Sequence, residues 1–350
     1  MKIYIAIFTT LLTLGVFAGA GYLAYTNTGL NQDRSYYRGI KEYEIGHFQE
    51  SINYFNEFLS LNRNNKKSQD SKFRIALALK LMGDTENAKR KLVEIINERY
   101  GDDEIARAVI EYADICRMAN MYDYYIIGQI ELMLKKFPAG SANENNLNTQ
   151  FGYQQFFLKQ YDAALHHFMN SSTDLAMLGK ARVYQQMGEF DKALAVYEEF
   201  LTYKRGTPYY QETRNSYKLM TFREGMAQYK KKQYTQALAY FDRIQKFFAN
   251  TDDAEQALYF AGESCYEMEQ YEPALKYYAA VIDNDVELRD AEALLKVGLC
   301  YYWLKNYPAS FNAMDKFLRE YPSSAFAARA QKWKEMAKKE IEYMGGAAKE

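Results

Sequence analysis

The chain of 350 residues is poor in the side chains that do chemistry. Its three histidines, His47, His166 and His167, stand in no metal-ligand spacing such as H-E-x-x-H. Its three cysteines, Cys116, Cys265 and Cys300, are too few and too scattered for a disulfide framework or a zinc site. There is no phosphate-cradling glycine loop, no nucleophile elbow and no paired-carboxylate signature. Runs of period-two alternation bounded by tight turns are missing too, which argues against a sheet-based fold. The formal net charge of -1 gives no global pull toward nucleic acid or acidic lipid. These absences point away from an enzyme, a cofactor-dependent protein or a nucleic-acid binder, and no cofactor or metal is expected.

Proline is scarce at five residues, and the 48% hydrophobic and 25% charged content suffices for a buried core, so helix is expected throughout. The stretch Asp253–Pro322 shows how the helices are organised, because one pattern is written there twice. A-E-Q-A-L-Y-F-A-G-E-S-C-Y-E-M-E-Q-Y-E-P-A-L-K-Y-Y (254–278) is followed by A-E-A-L-L-K-V-G-L-C-Y-Y-W-L-K-N-Y-P-A-S-F-N-A-M (291–314). Gly262 and Gly298 sit in the first helix of each copy, Tyr271 and Tyr307 open the second, and both pairs are 36 residues apart. Antiparallel helices approach closely only where one presents a small side chain. Gly262 therefore faces a neighbouring helix, Ala274 takes the tightest contact of the second, and Tyr278 fills the space between copies. One such pair cannot cover its own apolar face, so several must stack. The pattern resembles the tetratricopeptide repeat, about 34 residues long. The resemblance implies an all-α fold, a right-handed α-solenoid of tandem helix-turn-helix repeats.

Eight copies can be traced. The small residue of the second helix runs Ser51, Ala88, Ala164, Ala193, Ala237, Ala274, Ser310, with steps of 29 and 44 residues on either side of Ala193 that mark a distorted middle. The third unit, Glu104–Phe137, keeps the helical period, but Tyr125 stands where an alanine is expected, so it reads as degenerate or shifted. N-terminal repeats are expected over 35–137, a loop or hinge over the Asn-rich stretch 138–148, and C-terminal repeats over 149–322. A capping helix is expected over 323–344, closing the last repeat with Phe326, Ala330, Trp333 and Ala337, and a tail over 345–350. Cys265 and Cys300 fall at nearly equivalent points of adjacent repeats; a bridge is conceivable in an oxidising compartment, and the plainer reading is two small buried residues.

In the family that this chain resembles, the first helix of each repeat lines a concave groove that contacts a protein or an extended peptide. Carried over residue by residue, the inner positions are Tyr36, Tyr43, Phe73, Tyr153, Phe156, Phe222, Tyr229, Tyr259, Tyr266, Tyr302 and Trp303. Tyrosine offers large contact area at low entropic cost, although aromatics at helical spacing are more often core than site. Chaperone-binding members use lysines and asparagines at such positions, and here they are mostly aromatic or aliphatic. Charge is patterned along the chain: Lys204, Arg205, Arg214, Lys218, Arg223, Lys230, Lys231 and Lys232 form a basic stretch, followed by an acidic one from Asp252 to Glu287. The plain reading is a solvated face on each; the sharper one is a dock for an acidic partner or for a second copy of the chain.

At the N-terminus, residues 3–25 are uncharged over 23 positions, enough to span a bilayer. The expectation is a signal anchor over 1–26, a linker over 27–34, and repeats on the extracytoplasmic, periplasmic side of the membrane. The alternative is release after cleavage near Ala20, within Ala18-Gly19-Ala20. With the closing run Y-P-S-S-A-F-A-A-R-A-Q-K-W, the chain resembles the periplasmic tetratricopeptide proteins of bacterial envelopes, such as the Tol-Pal coordinator and BamD. It lacks the lipidated cysteine of the latter and the coiled coil of the former. The resemblance implies a membrane-tethered scaffold of an envelope complex, and the rival reading is an extracytoplasmic binder of a small ligand or glycan strand.

Overall fold

The computed structural model describes residues 33–61, 66–98, 100–284 and 286–347. The anchor and cleavage readings of the N-terminal segment, and linker residues 27–32, lie outside the described residues. Among those described, every regular element is an α-helix, and no helix is long and apolar enough to cross a membrane.

The helices fall into two compact units, the chain passing from one to the other between Glu189 and Phe190. The first contains α1 (33–44), α2 (Phe48–Leu61), α3 (Lys66–Leu81), α4 (Thr85–Asn97), α5 (Asp102–Met118), α6 (Tyr124–Leu134), α7 (Ala142–Phe157), α8 (Tyr161–Met169) and α9 (Asp174–Gln186). The second contains α10 (Phe190–Tyr203), α11 (Tyr210–Lys230), α12 (Tyr234–Phe248), α13 (Asp252–Glu267), α14 (Tyr271–Ile282), α15 (Asp290–Trp303), α16 (Tyr307–Glu320) and α17 (Ala327–Ala347). The boundary divides the fifth repeat, whose helices α9 and α10 belong to different units.

One turn recurs between the two helices of every repeat. Residues 46, 83, 120, 159, 188, 232, 269 and 305 all have positive φ, in steps of 37, 37, 39, 29, 44, 37 and 36 residues. In each turn the next amide donates to the carbonyl five residues back, as His47 N–H does to Glu42 and Gln270 N–H to Cys265. This is the left-handed helix stop with its six-to-one hydrogen bond. The short and long steps flank residue 188, as the sequence pattern anticipates.

The helix pairs are clamped by a second recurrence. A β-carbon on Gly39, Gly152, Gly225, Gly262 or Gly298 would meet Phe55, Phe168, Phe241, Tyr278 or Met314 at 2.6–2.8 Å, in every case sixteen residues further on. The third repeat keeps a small residue on its first helix, the fully buried Ala113, but its second helix is rotated. Ile126, Ile130 and Met133 face the core while Tyr125 is 36% exposed, because a tyrosine cannot enter the place of an alanine.

Two boundaries differ from expectation. Residues 142–148 are no loop: they begin α7, where Ser141 caps the helix by accepting the Glu144 N–H. Two of the asparagines there bind a neighbouring helix-turn: Asn145 Oδ1 accepts from the Ser172 backbone N–H at 2.6 Å and Asn148 Oδ1 lies 3.0 Å from His167 Nδ1. The capping helix starts at Ala327 rather than at 323, because Ser324 ties up the preceding turn through Phe326 N–H and Ala327 N–H, and it runs on to Ala347, so residues 345–347 belong to helix. Cys265 and Cys300 are buried free thiols in one apolar cluster, and burial pushes them up to about 11 and about 12.

Candidate partner-binding site

Within each unit the first helices of neighbouring repeats touch, α3 with α5 and α5 with α7 in unit one, α11 with α13 and α15 with α17 in unit two. This contact puts them on the inner side of the stack. Polar groups on that side are joined from one repeat to the next. In unit one, Tyr36 donates to Asp70 at 2.9 Å, and Lys80 bridges Glu111 and Asp114 at 2.6 Å each. In unit two, Lys218 pairs with Asp253 at 2.6 Å, Lys296 with Glu263 at 2.7 Å, and Trp303 Nε1–H donates to the Tyr266 hydroxyl at 2.9 Å. These bonds lock the register of successive repeats, so the inner face is a preformed surface.

The expected groove residues divide accordingly. In unit one, Tyr36 packs on Phe55 and Phe58, and burial together with Asp70 pushes its hydroxyl up to about 12. Tyr43 leans on Phe48 under the Arg74 guanidinium. Phe73 is 9% exposed beneath Arg107, whose guanidinium stands 4.4 Å from the ring. Phe156 is partly buried against Phe157 and Tyr161. Tyr153 is a correction: it is fully buried, its hydroxyl donates to the Leu175 carbonyl, and it belongs to the core. The cause lies in α7, where residues 147–155 are all buried.

Unit two gathers its aromatic residues more closely. Phe222 and Tyr229 converge on Phe260, with ring centroids 6.0 and 5.9 Å away. Tyr259 lies beside Phe260 and Tyr278, and burial raises its hydroxyl pKa. Tyr266 links to Trp303, which is 47% exposed and stacks at 17° on Tyr271. Tyr302 and Trp303 both meet Trp333 of α17, at 4.9 and 6.0 Å. Phe260, Tyr271 and Trp333 were not among the expected groove residues. Trp333 was foreseeable as part of the closing run, but only as a cap; Phe260 had no signal beyond its place beside Tyr259.

The basic stretch is not one open surface. Lys218 is paired with Asp253 from the acidic stretch, Arg223 with Glu224 at 2.9 Å, and Arg214 donates to the Phe247 carbonyl and lies over Phe248. Lys204 is partly buried, whereas Arg205, Lys230, Lys231 and Lys232 are exposed and make no ion pair among the described residues. The remaining free charge sits at turns. Among the described residues no group of three or more His, Cys, Asp or Glu side chains is placed to hold a metal ion.

Two models of the family described as tetratricopeptide repeat match residues 178–255 and 292–324. No curated protein matches the chain. Among solved structures, it is similar to a tetratricopeptide repeat protein from Parabacteroides merdae ATCC 43184, with 10% identity over 77% of this chain and 98% of that one and a TM-score of 0.46. It is also similar to the P58(IPK) TPR domain, with 12% identity, 90% and 99% coverage and a TM-score of 0.33. A third is YrrB, described as a TPR protein with an unusual peptide-binding site, with 19% identity, 58% and 97% coverage and a TM-score of 0.30.

Proposed function

We propose that this chain, a tetratricopeptide repeat protein, is a non-catalytic scaffold that holds a protein partner on the inner face of its second unit. The observation that carries the reading is how that face is built. Lys218 and Asp253, and Lys296 and Glu263, are paired between repeats, while aromatic rings from α11, α13, α15 and α17 are left side by side, with Trp303 standing out into solvent. Rigid aromatic surface of this kind supplies contact energy without an ordering cost. In the same proposal the uncharged residues 3–25 tether the scaffold to a bacterial envelope membrane, with the repeats on the extracytoplasmic side and the partner part of an envelope complex. The rival reading, a small-ligand or glycan binder, has less behind it. The cleft of unit one between Phe73, Tyr100 and Arg107 measures about 80 Å³, below the roughly 300–1,000 Å³ of small-ligand pockets, and the two larger hollows of unit two, about 340 Å³ beside Tyr240 and about 360 Å³ beside Pro308, are lined by none of the expected groove aromatics.

The test is capture of the full-length chain from intact, lightly crosslinked bacterial cells, comparing wild type with Trp303→Ala. Loss of one or two envelope proteins from the variant alone supports the scaffold. An unchanged partner set removes the aromatic face from the account. Alkaline extraction of the same membranes reads the tether: retention supports it, and a shortened, released chain shows cleavage near Ala20 instead.

A further inference from the structure

The chain has two tryptophans, and both lie in one aromatic surface at the end of unit two. Trp303 and Trp333 meet at 63° with centroids 6.0 Å apart, flanked by Tyr302 on one side and Tyr271 on the other. Unspent hydrogen-bond donors border these rings. The Tyr266 hydroxyl accepts from Trp303 Nε1–H and bonds its own proton to no group among the described residues, so that proton is free to donate. Trp333 Nε1–H makes no hydrogen bond among the described residues, and an indole can only donate. Arg329, four residues before Trp333 and so on the same face of α17, is exposed and has no carboxylate partner among the described residues. The carboxylates of Glu269 and Glu340 stand near Tyr271 and Tyr302 at the rim, and neither accepts a hydrogen bond from those hydroxyls.

A surface of flat π faces edged with donors selects a ligand that is flat, apolar and rich in acceptors. From this we infer that the surface formed by Tyr266, Trp303, Trp333 and Arg329 binds an extended, proline-containing segment of the partner protein. A proline ring packs flat on an indole, its carbonyl is a strong acceptor, and it has no N–H to be left unpaired. The polyproline II conformation keeps successive carbonyls in water, and therefore within reach of Arg329 and the two aromatic donors, and it is already ordered before binding. A sugar brings a donor with each acceptor, for which this surface has few acceptors. An acidic segment without rings would satisfy Arg329 and leave the indoles uncovered. The inference rests on the proposed scaffold reading and names the chemistry of its partner.

Because both tryptophans are in the surface, intrinsic tryptophan emission of the full-length chain reports on it directly. Three probes are titrated: a ten-residue proline peptide, a ten-residue Glu-Ala peptide and a hexamer of N-acetylglucosamine. Saturable change with the proline peptide alone, weakened about tenfold by Trp303→Ala and restored by Trp303→Phe, is the expected result. Equal binding of the Glu-Ala peptide overturns the proline assignment and leaves the peptide-binding scaffold standing. Response to the sugar alone overturns both. Binding of the proline peptide that Trp303→Ala and Arg329→Ala leave unchanged, with helix content intact, places it elsewhere and overturns the assigned site.

Discussion

A β-carbon on Gly262 would stand 2.7 Å from Cε1 of Tyr278, a ring that is fully buried and hydrogen-bonded to Glu263. The ring cannot withdraw without losing that bond, so the helices would have to part. Gly262→Ala is expected to destabilise unit two by about 1–3 kcal/mol, and Gly262→Ala with Tyr278→Leu to recover most of the loss. Denaturant unfolding of Gly262→Ala, Tyr278→Leu and the double variant checks this; additive losses would mean that the two residues do not clash.

Glu263 and Lys296 form an ion pair at 2.7 Å with side chains only 13% and 14% exposed. Removing the cation leaves a carboxylate shut away from water beside the Tyr278 hydroxyl. Lys296→Met should therefore cost about 3 kcal/mol, and Lys296→Met with Glu263→Gln much less. Thermal unfolding of single and double variants measures the coupling.

His167 stacks on Phe151 with ring centroids 4.0 Å apart, and burial, helped by the neighbouring His166, holds its pKa at about 4 instead of 6.5. The unfolded chain takes up this proton near pH 6.5 and the folded chain only near 4. Its contribution is complete above pH 6.5 and shrinks as pH falls through that window, by about 1–2 kcal/mol given its partial exposure. His167→Gln should flatten the stability of unit one between pH 6.5 and 4; an unchanged slope would assign the acid sensitivity to carboxylates.

Glu269 holds a φ of 58° in the recurrent turn, at the place that Gly46, Gly83 and Gly188 occupy elsewhere. Relief of left-handed strain outweighs the added freedom of the unfolded chain, so Glu269→Gly is expected to stabilise by about 0.5 kcal/mol. Urea midpoints compare the two; a lower midpoint for the variant would contradict the strain argument.

The repeat frame was legible because close packing leaves a mark that needs no partner information. Glycine and a large apolar or aromatic residue sixteen positions on mark a crossing, and the 29- and 44-residue steps around Ala193 reappear in the turns around Gly188. What was not legible depended on neighbours outside the local period. The asparagines of α7 have loop composition, yet Asn145 and Asn148 find partners on residues 172 and 167. Tyr153 sits at a groove position of its repeat but is enclosed because α7 is buried along most of its length. Lys218 looked like part of a free basic stretch, although Asp253, its partner, lies 35 residues away, close to one repeat length. That spacing of opposite charges was a signal available in the sequence. Arg329 and Trp333 belong to the capping helix, where the repeat period no longer says which face points inward.

The most direct test of the scaffold is site-specific photo-crosslinking in living cells, with the photoreactive side chain placed in turn at position 303 on α15 and at the exposed Lys276 on α14. The account predicts a discrete protein adduct from position 303 and none from 276. An adduct from 276 with none from 303 would put the partner on the other face and contradict it.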